Sequence, residues 1–86
     1  MFNIIERYIK MMSKEDVNKF ALKKNINLNE QELDFTYNFI KKNYKDYFNN
    51  PKVFDLERYR NIYTEENFSK ITKVYKEYTQ KYNNYL

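Results

Sequence analysis

Twelve carboxylates and thirteen lysines are the side chains of this 86-residue sequence that could do chemistry. Acid–base or metal work would fall to the carboxylates, because His and Cys are both absent. Without His the usual general base and the commonest transition-metal ligand are missing. Without Cys there is no thiol nucleophile, disulfide framework or Cys-based zinc site. Glu30, Glu32 and Asp34 form the densest acidic run. Acids two residues apart on a helix point to different sides, so the three cannot converge on one proton or ion. Glu65 and Glu66 stand where a helix opens, and capping accounts for them. A calcium loop needs alternating oxygen ligands and a Gly at its turn, and the sequence has no Gly. The same lack removes the loops that bring backbone close to phosphate in nucleotide sites. No catalytic, metal-binding or cofactor-binding residue is expected, and no small-molecule substrate is evident. The sequence reads as a non-enzyme.

Lysine offers phosphate binding instead. Lys70, Lys73, Lys76 and Lys81 are the candidate phosphate contacts, within a net charge of +4 and an isoelectric point near 9.2. Residues 1–29 carry six basic and three acidic groups, residues 70–86 four and one, and the middle six and eight. Both ends are basic, but no dense stripe of the kind that wraps nucleic acid stands out. Lys, Asn and Tyr all use codons built mainly from A and T, so base composition by itself explains their excess. A solvated polar face is the plainer reading of the four lysines.

The elements that would position these groups are helical almost throughout. Ile4, Ile5, Tyr8, Met11 and Met12 line one face of a first short helix. Ser13 with Glu15 and Asp16 opens a second, buried through Val17, Phe20 and Ala21, which should stop at a left-handed Asn25. Asn29 and Glu32 form a capping box for a central helix over 30–46. On it Leu33, Tyr37, Ile40 and Tyr44 share a stripe about 60° wide, with Phe35 and Phe39 on another side. Asn50 and Pro51 start a short helix from 51 to 61, anchored by Val53, Leu56 and Tyr59. Thr64 opens the last, over 65–82, with a stripe of Phe68, Ile71, Val74, Tyr75, Tyr78, Tyr82 and Tyr85. Leu33, Ile40, Ile71 and Val74 are expected in the core. The fold class is all-α: one domain, 1–86, of four to five short helices, with the last packed along the central one.

A helix-turn-helix over 17–40 is suggested by Ala21 and Asn25, but its would-be recognition helix opens with Glu30, Glu32 and Asp34. Those acids would meet the negative charge of the duplex. A plain helical hairpin fits better. The start of the chain is too charged for a signal peptide, and no apolar run is long enough to span a bilayer. Phe2 stands where myristoylation needs Gly. A cytoplasmic protein without a membrane partner is expected.

The order of parts resembles a small uncharacterised family of low-GC Gram-positive bacteria, the YqfT-like proteins. The resemblance runs through Ser13–Asp16, the Ile26-Asn27-Leu28 connector with Asn29 and Glu32, Phe48-Asn49-Asn50, Glu57-Arg58 and Val74–Thr79. It implies a small, cytoplasmic, all-helical bacterial protein of unassigned function, and it carries over no site residue.

A central helix with apolar groups on two sides needs partners on two sides. Phe35, Phe39, Tyr82 and Tyr85 are therefore the candidate interface, facing a protein partner or a second copy in a homodimer. The competing arrangement folds the first helix back over Phe35 and Phe39 through Ile4, Ile5 and Tyr8. The function expected is a non-enzymatic protein–protein interaction module. The alternative is weak, sequence-independent RNA or DNA binding through the basic terminal helices.

Overall fold

The computed structural model describes residues 2–50 and 54–83. It is an all-α bundle whose described residues include no strand. Helices α1 (Phe2–Met11), α2 (Lys14–Lys23), α3 (Glu30–Asn49) and α4 (Glu65–Asn83) are joined, between α3 and α4, by a 3₁₀ helix over Leu56–Ile62.

The caps form where the sequence put them. Ser13 Oγ accepts from the Asp16 N–H at 3.2 Å, and Asp16 Oδ2 from the Ser13 N–H at 3.0 Å. Asn25 ends α2 with a φ of 62°. The Ile26 N–H returns to the Ala21 carbonyl at 2.8 Å and the Asn25 N–H to that of Leu22 at 3.0 Å. This is the Schellman arrangement, and its usual apolar contact follows, since Ile26 and Ala21 are both buried. Asn29 and Glu32 exchange side-chain and backbone bonds of 2.8 Å each to open α3.

Three expectations are corrected. The helix placed at 51–61 begins later: Asp55 caps the Glu57 N–H at 3.1 Å, and the coil from Leu56 is 3₁₀. Pro51 and Val53 lie outside the described residues. Leu56, Tyr59 and Ile62 recur every third residue, which aligns them on one side of a three-residue turn, and all three are half-buried. The core is also differently placed. Val17, Ala21, Ile26 and Phe68 are its buried apolar residues, whereas Leu33, Ile40, Ile71 and Val74 are half-exposed. The third correction supplies the reason. Helix α4 does not lie directly on α3, and among the described residues no Cα of one helix comes within 8 Å of a Cα of the other.

Two clamps hold these helices apart. At one end the Glu32 carboxylate of α3 takes the Thr64 N–H (2.8 Å) and the Asn67 side-chain amide (2.9 Å) from the start of α4. At the other, the rings of Tyr47 and Tyr75 lie 5.8 Å apart, and the Tyr47 and Thr79 hydroxyls are 3.1 Å apart. Residues 32 and 47 are separated by about 22 Å of helix. Between them the side chains of Ile40, Ile71 and Val74 do not close the gap.

Candidate functional site

The carboxylates that were the acid–base candidates go to three different surroundings. Glu30 is exposed, and Asp34 pairs with Lys14 at 2.5 Å. That contact raises the Lys14 ammonium above its ordinary value, chiefly through the hydrogen bond to Asp34. Glu32 is fully buried. Its Oε1 accepts from the Asn29 N–H and the Asn67 amide, and its Oε2 from the Thr64 N–H. The Asn67 amide also donates to the Asn27 carbonyl at 3.0 Å. One carboxylate therefore caps the starts of two helices, where both dipoles favour negative charge. Beside it the Tyr63 and Thr36 hydroxyls are 2.6 Å apart. Burial pushes the Tyr63 phenol up, the charge of Glu32 adds to this, and the Thr36 hydrogen bond opposes it. Every buried polar side-chain atom among the described residues has a partner. Among those residues no three His, Cys, Asp or Glu side chains gather as metal ligands would.

The second side of α3 is covered within the chain. Phe35 stacks near Tyr59 (5.3 Å between ring centres) and Tyr63 (6.0 Å), and Phe39 near Tyr59 (5.1 Å) and Phe54 (5.5 Å). The 3₁₀ helix and its approach lie over Phe35 and Phe39, which are both half-buried. Of the other two candidate interface residues, Tyr85 and the side chain of Tyr82 lie outside the described residues.

The lysines of α4 do not form one cluster. Lys70 turns back to the Asn25 carbonyl (2.7 Å) and to Glu66 (3.6 Å). Lys73, Lys76 and Lys81 are exposed and spread over roughly a third of the helix circumference.

Two apolar features were not foreseen. The first is a cleft of about 350 Å³ between α2, α3, α4 and the 3₁₀ helix, lined by Val17, Ala21, Ile40, Ile71 and Val74 among others. Phe20 and Tyr78 stand at its mouth, with rings 5.8 Å apart and exposures of 43% and 36%. The second is a stripe on α1. Lys41 of α3 donates to the Lys10 carbonyl at 2.6 Å, fixing the last turn of α1, and Ile9 turns toward the cleft. That rotation points Ile4, Tyr8 and Met11 outward, with exposures of 77%, 58% and 79%. The sequence placed these three on one face of α1, and the competing arrangement would have turned Ile4 and Tyr8 inward over Phe35 and Phe39. Helical spacing carries a signal for the stripe: residues 4, 8 and 11 fall within about 60°, and Ile9 about 100° or more away.

A further hollow of about 520 Å³ lies between the 3₁₀ helix and α4. Its Arg60 is held bidentately by Glu57 (2.9 and 3.0 Å), which lowers that carboxyl and raises the guanidinium. No described helix is long and apolar enough to cross a membrane. The chain matches no family model, no curated protein and no solved structure.

Proposed function

We propose that the protein is a non-enzymatic interaction module that docks α1 into an apolar groove of a protein partner. The observation that carries this is the exposed Ile4–Tyr8–Met11 stripe. Anchors at i, i+4 and i+7 are the spacing by which a helix fills a groove, and apolar patches of this kind mark interaction sites on soluble domains. The opposite side of α1 is already committed to α3, so the stripe projects from an anchored helix.

A partner with a groove fits better than a flat pairing of two α1 helices. A stable flat interface buries about 800 Å² per partner, more than one face of a ten-residue helix offers. The chain's own cleft is a poor acceptor, because Lys24 and Lys81 at its mouth would face Arg7 and Lys10 of the incoming helix. The resemblance to the YqfT-like proteins adds no residue to this reading.

The test is capture from an extract of the native host, with and without nuclease. A partner held by the wild-type chain should be lost with Ile4→Gln/Met11→Gln and retained with Lys73→Gln/Lys76→Gln. The reverse pattern, or loss on nuclease treatment, favours the basic residues and a nucleic acid.

A further inference from the structure

We propose that the interhelical cleft binds a single-chain anionic amphiphile, a fatty acyl carboxylate, with its chain inside and its head between Lys24 and Lys81. This goes beyond the docking of α1 and does not rest on it, since the outward stripe and the cleft are different surfaces.

The interior sets the chemistry of the chain. The lining is mostly apolar, and three of its polar side chains are already paired: the Thr36 hydroxyl donates to the Glu32 carbonyl at 2.7 Å, the Asn43 amide to the Phe39 carbonyl at 3.0 Å, and the Tyr47 hydroxyl meets that of Thr79. A polar ligand buried there would go unpaired. The volume of about 350 Å³ is more than twice the roughly 150 Å³ that admits a benzene ring, and falls at the small end of known ligand sites. The cleft runs between the two clamps that separate α3 and α4, so an unbranched chain suits its shape.

The mouth sets the chemistry of the head. Lys24 Nζ lies 5.9 Å from the Phe20 ring centre and 5.3 Å from that of Tyr78, and Lys81 Nζ lies 5.5 Å from the same Tyr78 ring. Among the described residues no carboxylate comes within 4.0 Å of either ammonium. Both ammonium groups lie against the Tyr78 ring at the mouth, so an anionic head there meets two positive charges.

The experiment titrates the ¹⁵N-labelled chain with dodecanoate, dodecyltrimethylammonium and butanoate, all below their micelle concentrations, and with phosphatidylglycerol vesicles. Dodecanoate should bind one-to-one and shift the amides of Ala21 and Ile71. It should bind about tenfold more tightly than the cation of equal chain length, and octanoate and decanoate, titrated in the same way, should show about a fourfold gain per added methylene up to dodecanoate. Lys24→Glu/Lys81→Glu should reverse the preference between anion and cation, and Val74→Phe should exclude both chains. The charge reversal leaves the side chains that line the cleft unchanged, so it decides the matter even where Val74→Phe fails to fold. Equal binding of anion and cation, an unchanged preference in the double variant, or binding confined to vesicles would overturn the proposal.

Discussion

Glu32 has no water around it, so its two oxygens depend on three N–H donors drawn from two helix starts. Glu32→Ala would take the acceptor from the Asn29 and Thr64 N–H groups and one of two acceptors from the buried Asn67 amide, at a cost of about 3–5 kcal/mol. A domain this small has only about 5 kcal/mol in all, so that variant should show no cooperative urea transition. Glu32→Gln keeps the shape but turns an amide toward an N–H, and should lower stability by about 1–3 kcal/mol. Half of this residue was legible. The Asn29–Glu32 box is a four-residue pattern, but Thr64 and Asn67 lie 32 and 35 positions away and join it through tertiary docking. Tyr63 and Tyr75 give a pH prediction. Burial raises both phenols, so the folded chain holds these protons more tightly than the unfolded one. That stability is complete below the ordinary value of about 10 and is lost as pH rises through the folded values. The urea midpoint should therefore fall above about pH 10. Tyr63→Phe should reduce the slope while losing about 1 kcal/mol with the Thr36 hydrogen bond.

Among the elements, α2 ends because Asn25 adopts a positive φ that most side chains resist. Asn25→Val should cost about 1–2 kcal/mol and Asn25→Gly none, measured by thermal melting. This cap was readable because Asn substitutes for Gly locally. The 3₁₀ helix was not read. Its three-residue recurrence of Leu56, Tyr59 and Ile62 also fits an ordinary short helix, and which of the two forms depends on covering Phe35 and Phe39. Tyr59→Ala should uncover both rings and lower stability by about 2–3 kcal/mol, with a rise in binding of an apolar dye. The rotation of α1 escaped the sequence for a related reason. Apolar residues lie on two sides of that helix, and the choice falls to Lys41, whose bond to the Lys10 carbonyl comes from α3.

For the whole molecule, the number of helices and the α type of four of them followed from caps and 3.6-residue stripes, while the spacing between helices did not. Ile40, Ile71 and Val74 are apolar at helical spacing, and nothing local says that the Glu32 and Tyr47 clamps will hold α4 away from α3. The cleft is a consequence of that spacing, and the outward α1 stripe of the docking of α1 on α3. The central claim is that an anchored α1 presents Ile4, Tyr8 and Met11 to a protein partner. The most direct measurement is capture from nuclease-treated host extract at low and high salt, comparing wild type with Ile4→Gln/Met11→Gln. Both substitutions are at exposed sites and keep helix propensity, so stability should change by less than about 0.5 kcal/mol. The account predicts a captured protein that survives high salt, as apolar docking does, and that is absent with the double variant. Capture that persists in the double variant, or that vanishes with salt in the wild type, would contradict it.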